Sequence, residues 1–447
     1  MLFRSAVTDA LSTPASDTDE PRHAVAERLG GWKLVVTVAF SLVTVLVVSF
    51  GIVAGVALYT LTNSIQTIDL PGREQPTLAS IGELEGGFNV LIIGSDTRLG
   101  QGDQFGEVDS ELNDVNILVH VSENHDHATV VSLPRDMLID VPACPQEDGS
   151  MSTPRTMTAL NATRGFGGMP CGVAAVEETP GLEIGYAGVM TFTGVAQLST
   201  AIGGVEVCVT EPVFDPWSGL DIPEAGWTEL EGGQALAFLR TRKSVGDGSD
   251  LARISTQQIY MASLVRTLRS DGVLRDIRKL YNIAHVAANT MVLSSSLGSV
   301  DVMVSMALAL RNIPPENIVF IQFPVLDAPE PYSGRVIPDW RLANIVLDKI
   351  KADLPFSLED GSDGRGSVVV DPPPSQDAAP APEPEASAPE ATGDAPTSDG
   401  PADPPADETS STPDPSTTPE VETVTEAEVI SGLVGQSAAD VTCAKVR

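Results

Sequence analysis

Three stretches of this 447-residue sequence predict an α/β fold. FNVLIIG, residues 88–94, is a continuous apolar run ended by glycine, typical of a strand buried on both faces. YAGVMTFTGVAQLSTAIGGVEVCV, residues 186–209, predicts a strand, a helix, a Gly-Gly turn and a second strand. SDLARISTQQIYMASLVRTLRS, residues 249–270, predicts a long helix with Ser249 or Asp250 at its N-cap.

The remaining elements follow from shorter patterns. NILVHVS (116–122) and ATVVSLP (128–134) are joined by the polar ENHDH and predict a hairpin. Residues 296–313 predict a second long helix, and residues 317–325 predict a late strand. ALAFLRTR, from residue 235, has features of both a helix and a strand. If FLRTR is extended, Arg240 and Arg242 point to the same face, because strand side chains repeat every two residues.

The N-terminal region predicts a membrane anchor. No charged residue occurs between Leu34 and Ile68, a run longer than the roughly 20 residues that span a bilayer. Basic residues precede this run, and the first charge after it is acidic, which places the N-terminus in the cytoplasm. The run lacks a small-residue cleavage site and is long for a signal peptide. An uncleaved signal anchor over residues 34–61 is therefore favoured over a cleaved signal peptide, and the chain beyond it lies outside the cell membrane, where disulfides form.

Composition divides the rest of the chain. Residues 1–33 are predicted to be a disordered cytoplasmic N-terminus, 62–85 a juxtamembrane connector and 86–355 a globular extracellular domain. Residues 356–420 are rich in Pro, Ala and acids, cannot bury enough apolar surface to fold and predict a disordered tail. Residues 421–447 regain some apolar character, and their order is left open. A net charge of −35 argues against a nucleic-acid surface, so no nucleic-acid partner is expected.

The candidate site begins with two acids. Asp96 follows the buried strand 88–94 directly, and Asp114 stands at the entry of the next strand. Loops at the carboxyl ends of strands bind ligands in open α/β sheets. Carboxylates suit Mg²⁺, which usually takes one or two of them together with phosphate oxygens. Either acid alone is equally well a turn or cap residue, so the pair matters only beside a phosphate site.

Arginines supply such a site in an otherwise acidic chain. Arg135 follows an apolar strand, and Arg240 and Arg242 follow the apolar ALAFL. Arg253 and Gln257 are four residues apart on the predicted helix and therefore share a face. Guanidinium groups match phosphate oxygens two at a time, so several converging arginines would neutralise a pyrophosphate. The alternative is that each arginine pairs with a carboxylate, for example Arg253 with Asp250.

These motifs resemble the LytR-CpsA-Psr family. The resemblance rests on NVLIIGSDTR, NDVNILVHVS, VVSLPRDM, AIGGVEVCV and LEGGQALAFLRTRKSVGDGSDLARISTQQ, in order between residues 88 and 350. It implies an α/β/α sandwich with a large central mixed sheet and an apolar channel for a polyprenyl chain. It also implies a metal-dependent phosphotransferase that moves a glycopolymer from polyprenyl pyrophosphate to peptidoglycan, using Mg²⁺ or Mn²⁺.

The resemblance also assigns residues. It implies that Asp96 and Asp114 bind the metal and that Arg135, Arg240 and Arg242 are catalytic. The residues that it implies in pyrophosphate binding are Arg98, Arg135, Arg240, Arg242, Arg253 and Gln257. Asp136 and Asp114 are the candidates for the general base, with Asp136 alternatively orienting Arg135. The sequence departs from the family pattern at Leu112 and Thr256, where the family often has arginine.

Other functions remain open at this point. A pyrophosphatase that hydrolyses the lipid head group would use the same cradle, and a non-catalytic protein would only bind the lipid-linked glycan. The histidines predict no catalytic role: His125 and His127 are expected in a solvated turn and His120 in the core. Cys144 and Cys171 bracket a loop-rich segment and predict a disulfide. Cys208 is either a buried thiol or the partner of Cys443.

Overall fold

The computed structural model describes residues 32, 35–45, 48–49, 52, 66–73, 84–95, 112–146, 148–270, 272–362, 364–370 and 427–447. The chain divides into two compact units, Met1–Asn63 and Ser64–Arg447. Residues 35–45 of the first unit are helical. Among the described residues, no helix is both long enough and apolar enough to cross a membrane. Most of the predicted segments 1–33 and 34–61 lies outside the described residues.

The second unit is built around a mixed sheet of eight strands, in the order β1-β12-β7-β2-β3-β4-β13-β19. Strand β2 pairs parallel with β7 and antiparallel with β3, and β4 pairs parallel with β13. The predicted hairpin is formed by β3 and β4. The strands are β1 (Gln66–Ile68), β2 (Phe88–Ser95), β3 (Asn113–Val121), β4 (Ala128–Ser132), β5 (Leu138–Val141), β6 (Arg155–Ala159), β7 (Tyr186–Met190), β8 (Val205–Val209), β9 (Val213–Asp215), β10 (Leu220–Ile222), β11 (Gly226–Leu230), β12 (Met291–Ser294), β13 (Ile318–Gln322), β14 (Val325–Asp327), β15 (Val336–Pro338), β16 (Phe356–Leu358), β17 (Ser367–Val369), β18 (Glu428–Ile430), β19 (Gly435–Ser437) and β20 (Thr442–Ala444).

Helices cover both faces of this sheet. The α-helices are α1 (Arg164–Glu178), α2 (Phe192–Ile202), α3 (Gly232–Arg240), α4 (Asp250–Ser270), α5 (Ile277–Thr290), α6 (Val300–Arg311) and α7 (Trp340–Lys351). Single 3₁₀ turns occur at Leu160–Ala162, Val273–Arg275, Ser295–Leu297 and Pro315–Asn317. On one face, Leu91 and Ile93 of β2 pack into a core shared with α1 and α7. On the other face, Val90 and Ile92 are only partly buried and contact the core that includes α4 and α6.

Helix α4 lies between two sheets. It contacts β13 and β19 of the central sheet and β8, β17 and β20 of a four-stranded sheet ordered β11-β8-β20-β17. Residues 252–260 are accordingly buried without interruption, polar residues included. Thr256 satisfies its hydroxyl by donating to the carbonyl of Ala252 at 3.2 Å. A helix enclosed on all sides carries no single apolar stripe.

The C-terminal segment belongs to the fold. Strand β19 pairs with β13 at the edge of the central sheet, and β20 pairs with β8 and β17. Cys443 lies beside Cys208 in this register, and the two form a disulfide that closes 235 residues of chain. The predicted pair Cys144 and Cys171 is also bonded, with Cα atoms 5.0 Å apart.

Three expectations differ from the structure. The prediction of a disordered tail from residue 356 is wrong for β16 and β17, because each pairs with a C-terminal strand far along the chain; residues 371–426 lie outside the described residues. The prediction of a solvated turn is wrong for His127, which is 4% exposed beneath the β3–β4 turn. FLRTR is not extended, since α3 continues to Arg240 and only Thr241 at its C-cap is extended.

Candidate active site

A cavity of about 420 Å³ lies between the central sheet and helices α2, α3 and α4. Its walls are mostly aliphatic, contributed by Ile92, Val115, Ile117, Met190, Val195, Leu198, Ile202, Leu236, Leu239, Met261 and Leu264. Gly94 lies on its floor, where a Cβ would come within 2.9 Å of the Cβ of Val115. One side of the cavity instead carries charge, namely Asp114, Arg135, Arg240, Arg242 and Arg253, with the amide of Gln257 beside them.

Arg135 is positioned directly after strand β4. Its guanidinium forms an ion pair with Asp114, which lies at the start of the neighbouring strand β3. Its Nε lies 3.2 Å from Oδ1 of Asp250 and 3.7 Å from Oδ2 of Asp136. Burial by itself lowers the pKa of Arg135, but the attraction of Asp114 and Asp250 outweighs it and raises the pKa. Arg135 is therefore a permanent cation at the cavity wall.

Asp250 joins three of the arginines. Its Oδ1 lies 2.9 Å from Nη2 of Arg253 and 3.8 Å from Nη2 of Arg242, in addition to its contact with Arg135. Its carboxylate is 12% exposed. These distances are in the ion-pair range, yet neither oxygen of Asp250 has hydrogen-bond geometry to a described donor. Asp250 therefore holds the guanidinium groups by charge and leaves much of their donor capacity unused.

Arg253 is the most enclosed cation of the cluster. Its side chain is 7% exposed, and its Nη2 donates to the carbonyl of Asp114 at 2.8 Å. Burial lowers its pKa, opposed by the attraction of Asp250. The Nε atoms of Arg135, Arg242 and Arg253 are buried without a hydrogen-bond acceptor among the described residues. Because an unsatisfied buried donor costs free energy, these groups indicate a site that an anion completes.

Arg240 and Arg242 both line the cavity at the C-terminal end of α3. Arg240 is the last residue of α3, and its guanidinium lies 4.4 Å from the ring centre of Phe192 at the start of α2. Arg242 follows the extended Thr241 and is 38% exposed. The hydroxyl of Thr241 donates to the buried carboxylate of Asp215, which anchors this turn. The shared direction expected from a strand is thus produced by a helix C-terminus and a single extended residue.

Gln257 lies at the cavity, whereas Thr256 and Leu112, which depart from the family pattern, do not line it. Gln257 lies one turn after Arg253 on α4, and its Nε2 donates to the carbonyl of Leu239 at 3.1 Å. Thr256 is fully buried against its own helix and lines no part of the cavity. Leu112 is half-buried just before β3.

Asp136 has a second partner besides Arg135, the one expected. Its carboxylate forms an ion pair with Arg335, before β15, and lies farther from Arg135. It therefore connects the segment after β4 to the β14–β15 hairpin. Sequence reasoning missed Arg335 and the contact of Asp250 with Arg135, because each contact joins residues distant in the chain.

The metal site is described only in part. Asp96 and Arg98 lie outside the described residues. Asp114 lines the cavity with its carboxylate 25% exposed and paired to Arg135. A partly exposed carboxylate next to an anion-binding cluster fits one ligand of Mg²⁺, which takes phosphate oxygens and waters for the rest.

A family model for the LytR-CpsA-Psr proteins matches residues 56–337, well over half of the chain. The chain belongs to the LytR-CpsA-Psr family. The match includes the cavity, both predicted acids and all the arginines of the cluster.

Known members resemble the chain at moderate identity. The cell wall biosynthesis protein LcpA of Corynebacterium glutamicum is 28% identical over 63% of this chain, and the match covers 59% of LcpA. The polyisoprenyl-teichoic acid–peptidoglycan teichoic acid transferase TagT of Bacillus subtilis is 26% identical over 56% of this chain and 74% of its own length. A solved LytR-CpsA-Psr enzyme from Actinomyces oris aligns at 22% identity over 64% of this chain and 96% of its own, with a TM-score of 0.43.

Proposed function

We propose that this protein is a membrane-anchored phosphotransferase that moves a glycopolymer from polyprenyl pyrophosphate to peptidoglycan. The observation that carries the proposal is the cavity itself: four arginines converge on one end of an aliphatic pocket in a chain of net charge −35. A ligand that fits both parts is amphipathic, with a strongly anionic head and an apolar chain. Polyprenyl pyrophosphate has this chemistry, and the printed name of TagT describes a transferase acting on a polyisoprenyl-linked polymer.

The charge balance of the cluster supports a pyrophosphate. Arg135, Arg240, Arg242 and Arg253 carry four positive charges, and Asp114 and Asp250 remove two of them. The pair of Asp136 with Arg335 is neutral as a unit. The remaining two positive charges match the two negative charges of a pyrophosphate diester. Arginine forks bind such oxygens two at a time and cannot lose their charge.

The apolar end supports a lipid. Helices α2, α3 and α4 present aliphatic side chains that are only half-buried, although a closed core would bury them fully. Such residues form an apolar surface that a hydrocarbon chain covers with favourable free energy, about 25 cal/mol per Å² removed from water. The lipid would be oriented by its head group among the arginines.

The reaction is a phosphoryl transfer. The oxygen of a peptidoglycan hydroxyl forms a bond to the phosphorus that bears the glycan, and the bond from that phosphorus to the bridging oxygen breaks. Polyprenyl monophosphate leaves, and the hydroxyl proton passes to a base. By resemblance to the family, the acceptor is the C6 hydroxyl of N-acetylmuramic acid.

The chain's own residues act by position and charge. Arg135, Arg240, Arg242 and Arg253 hold the phosphates and stabilise the negative charge that develops on the leaving group. Asp250 and Asp136 position these arginines rather than contact the phosphates. Asp114, with Asp96, would hold Mg²⁺ or Mn²⁺, which neutralises phosphate charge when bound.

The anchor completes the proposal. The uncharged run from Leu34 to Ile68 would hold the protein in the same membrane as its lipid substrate, with a cytoplasmic N-terminus and an extracellular catalytic domain. The disulfides of Cys144–Cys171 and Cys208–Cys443 support an oxidising compartment.

The test uses the full-length chain in detergent. It is given a short polyprenyl-pyrophosphate oligosaccharide, Mg²⁺ and uncrosslinked peptidoglycan, and the products are followed by mass. We expect a glycan–phosphate–peptidoglycan conjugate together with polyprenyl phosphate. Arg240→Ala is expected to slow this reaction at least about 100-fold, the effect of losing one group that stabilises the transition state.

Lys243→Ala is the matched control, because Lys243 stacks on Trp217 at 3.9 Å and lines no part of the cavity. It should retain wild-type activity. Release of free glycan phosphate without conjugate would show that the protein hydrolyses the donor and does not transfer the glycan. If the lipid-linked donor stays intact in the presence of metal and acceptor, both transfer and hydrolysis are contradicted, and the protein only binds the lipid-linked glycan.

A further inference from the structure

A cluster of histidines lies at the other end of strand β3. His120, near the end of β3, and His127, just before β4, approach Asp353, two residues after α7. One ring nitrogen of each histidine and one carboxylate oxygen lie within 4.8 Å of one another. His120 and His127 are 8% and 4% exposed. Six residues of β3 separate His120 from Asp114, or roughly 20 Å at the rise of a strand, so the cluster is distinct from the arginine site.

The hydrogen bonds outside the cluster fix the tautomer of His120. Its Nδ1 lies 2.9 Å from Oδ1 of Asn89. The amide of Asn89 cannot be reversed without loss, because its Nδ2 already donates to the carbonyl of Glu183 at 2.7 Å. Nδ1 of His120 therefore carries the proton, and Nε2 of the neutral ring presents a lone pair.

The same reasoning fixes His127. Its Nδ1 lies 2.7 Å from a carboxylate oxygen of Asp126, which only accepts, and that oxygen is also held by the hydroxyl of Ser122 at 2.8 Å. Nε2 of His127 therefore also presents a lone pair. This atom is buried and has no hydrogen-bond partner among the described residues.

One ring nitrogen of each histidine and one oxygen of Asp353 thus lie close together, and each neutral imidazole has an unprotonated Nε2. Nε2 of His120 lies 3.2 Å from Oδ1 of Asp353, a contact of two acceptors unless His120 is protonated. A cation between the three groups resolves the repulsion. Two ligands at about 2.0–2.1 Å in tetrahedral geometry are about 3.3 Å apart, close to the separation observed here.

We propose that His120, His127 and Asp353 bind a zinc ion. Zinc suits two imidazole nitrogens and a carboxylate, and its histidine ligands typically donate their other N–H to a carboxylate or carbonyl, as both do here. The other two ligand pairs, which lie within 4.8 Å, would each close by at most about 1.5 Å on binding. His120 and Asp353 line an open cavity of about 470 Å³, from which water would complete the coordination.

The backbone around Asp353 supports a built site. Asp353 adopts a positive φ of 54°, a conformation that non-glycine residues rarely adopt, and its Oδ2 accepts from the backbone N–H of Glu123 at 2.9 Å. The end of α7 is thereby aimed at the β3–β4 turn. A bound ion would join these two elements.

The test titrates zinc chloride into the full-length, untagged chain in detergent after chelator treatment, with a chromophoric competitor and elemental analysis. We expect one zinc per chain in the wild type. His127→Ala and Asp353→Asn should each weaken binding at least tenfold. His125→Ala is the matched control, since His125 is in the same turn but bonds to the carbonyl of Gly86 at 3.1 Å, and it should bind as the wild type does.

Two further measurements keep the result clear. Cobalt bound in place of zinc should give the visible absorption of a tetrahedral site, and this absorption should be lost in Asp353→Asn, an isosteric change at a partly exposed side chain. Arg240→Ala should retain zinc, so failure of the phosphotransferase proposal would not affect this one. A wild type that binds no zinc, or variants that all bind equally, would overturn the proposal.

Discussion

Removing the charge of Asp250 separates the effect of the arginine cluster on the stability of the fold from its effect on pyrophosphate binding. Asp250 holds three guanidinium groups, with nearest N–O distances of 2.9, 3.2 and 3.8 Å to Arg253, Arg135 and Arg242. At an effective dielectric constant of about 20, each contact is worth roughly 4–6 kcal/mol before desolvation. Desolvation of the aspartate cancels most of that sum. Leaving buried cations unpaired typically costs 3–5 kcal/mol, which we take as the expected loss for Asp250→Asn.

This loss in the free energy of unfolding corresponds to a fall in melting temperature. About 300 described residues at roughly 2.1 cal/mol/K per residue give an unfolding entropy near 0.6 kcal/mol/K, so Tm should fall by about 5–8 °C. Inorganic pyrophosphate should recover more of this loss in Asp250→Asn than it adds to the wild type, because the variant cluster carries one more uncompensated positive charge. The assay is thermal unfolding with and without pyrophosphate, without metal.

Asp247→Asn is the control. Asp247 lies three residues earlier, is 45% exposed and pairs with Arg365 at 3.3 Å, so its loss should cost less than about 1 kcal/mol. The reasoning is refuted if Asp250→Asn melts with the wild type, or if pyrophosphate raises both proteins equally.

Three other changes test the cavity, the C-terminal segment and one buried acid. Leu198→Trp should fill the cavity and raise KM for a long-chain donor at least tenfold with inorganic pyrophosphate binding unchanged, whereas Leu326→Trp, at a site 53% exposed, should change neither. Replacing Cys208 and Cys443 together by serine opens a 235-residue loop and should cost about 5 kcal/mol in urea unfolding; a loss under about 1 kcal/mol would contradict a structural role. Burial alone would raise the pKa of Asp215, but hydrogen bonds from Thr241 and nearby backbone amides lower it below 3.8. The ionised carboxylate of Asp215 therefore stabilises the fold above pH 3.8, and this contribution is lost as the pH falls further. The free energies of unfolding of the wild type and Asp215→Asn, measured by denaturation, should converge in acid.

The regular elements of the sheet were predictable from local pattern. Strand β2 is a continuous apolar run, and the β3–β4 hairpin is two such runs with a polar turn. Both depend on the period of side chains along a strand, which neighbouring residues set by themselves. Helix α3 was ambiguous for the same reason, because eight residues of ALAFLRTR fit either period and only packing against α2 and α4 decides between them.

The chemistry of the candidate site was predictable only as residue types. Arg135, Arg240, Arg242, Arg253 and Gln257 were expected near a phosphate, and the structure places all of them on one cavity. The assignments of Asp96 and Arg98 stay predictions. The roles of these residues toward substrate and metal also stay predictions, to be decided by the assays above.

The sequence by itself determined the class of the fold, the family and the set of cations, because apolar periodicity and motif order are local properties of the chain. Apart from the pair of Arg253 with Asp250, which their spacing indicates, tertiary structure decided what those cations contact. Asp250 lies at the centre of three arginines, Arg335 takes the carboxylate of Asp136, and β20 closes the fold through Cys443. Asp353 meets His120 across 233 residues of sequence. Such contacts depend on how strands and helices from distant parts of the chain pack together, and no pattern within a short window encodes them.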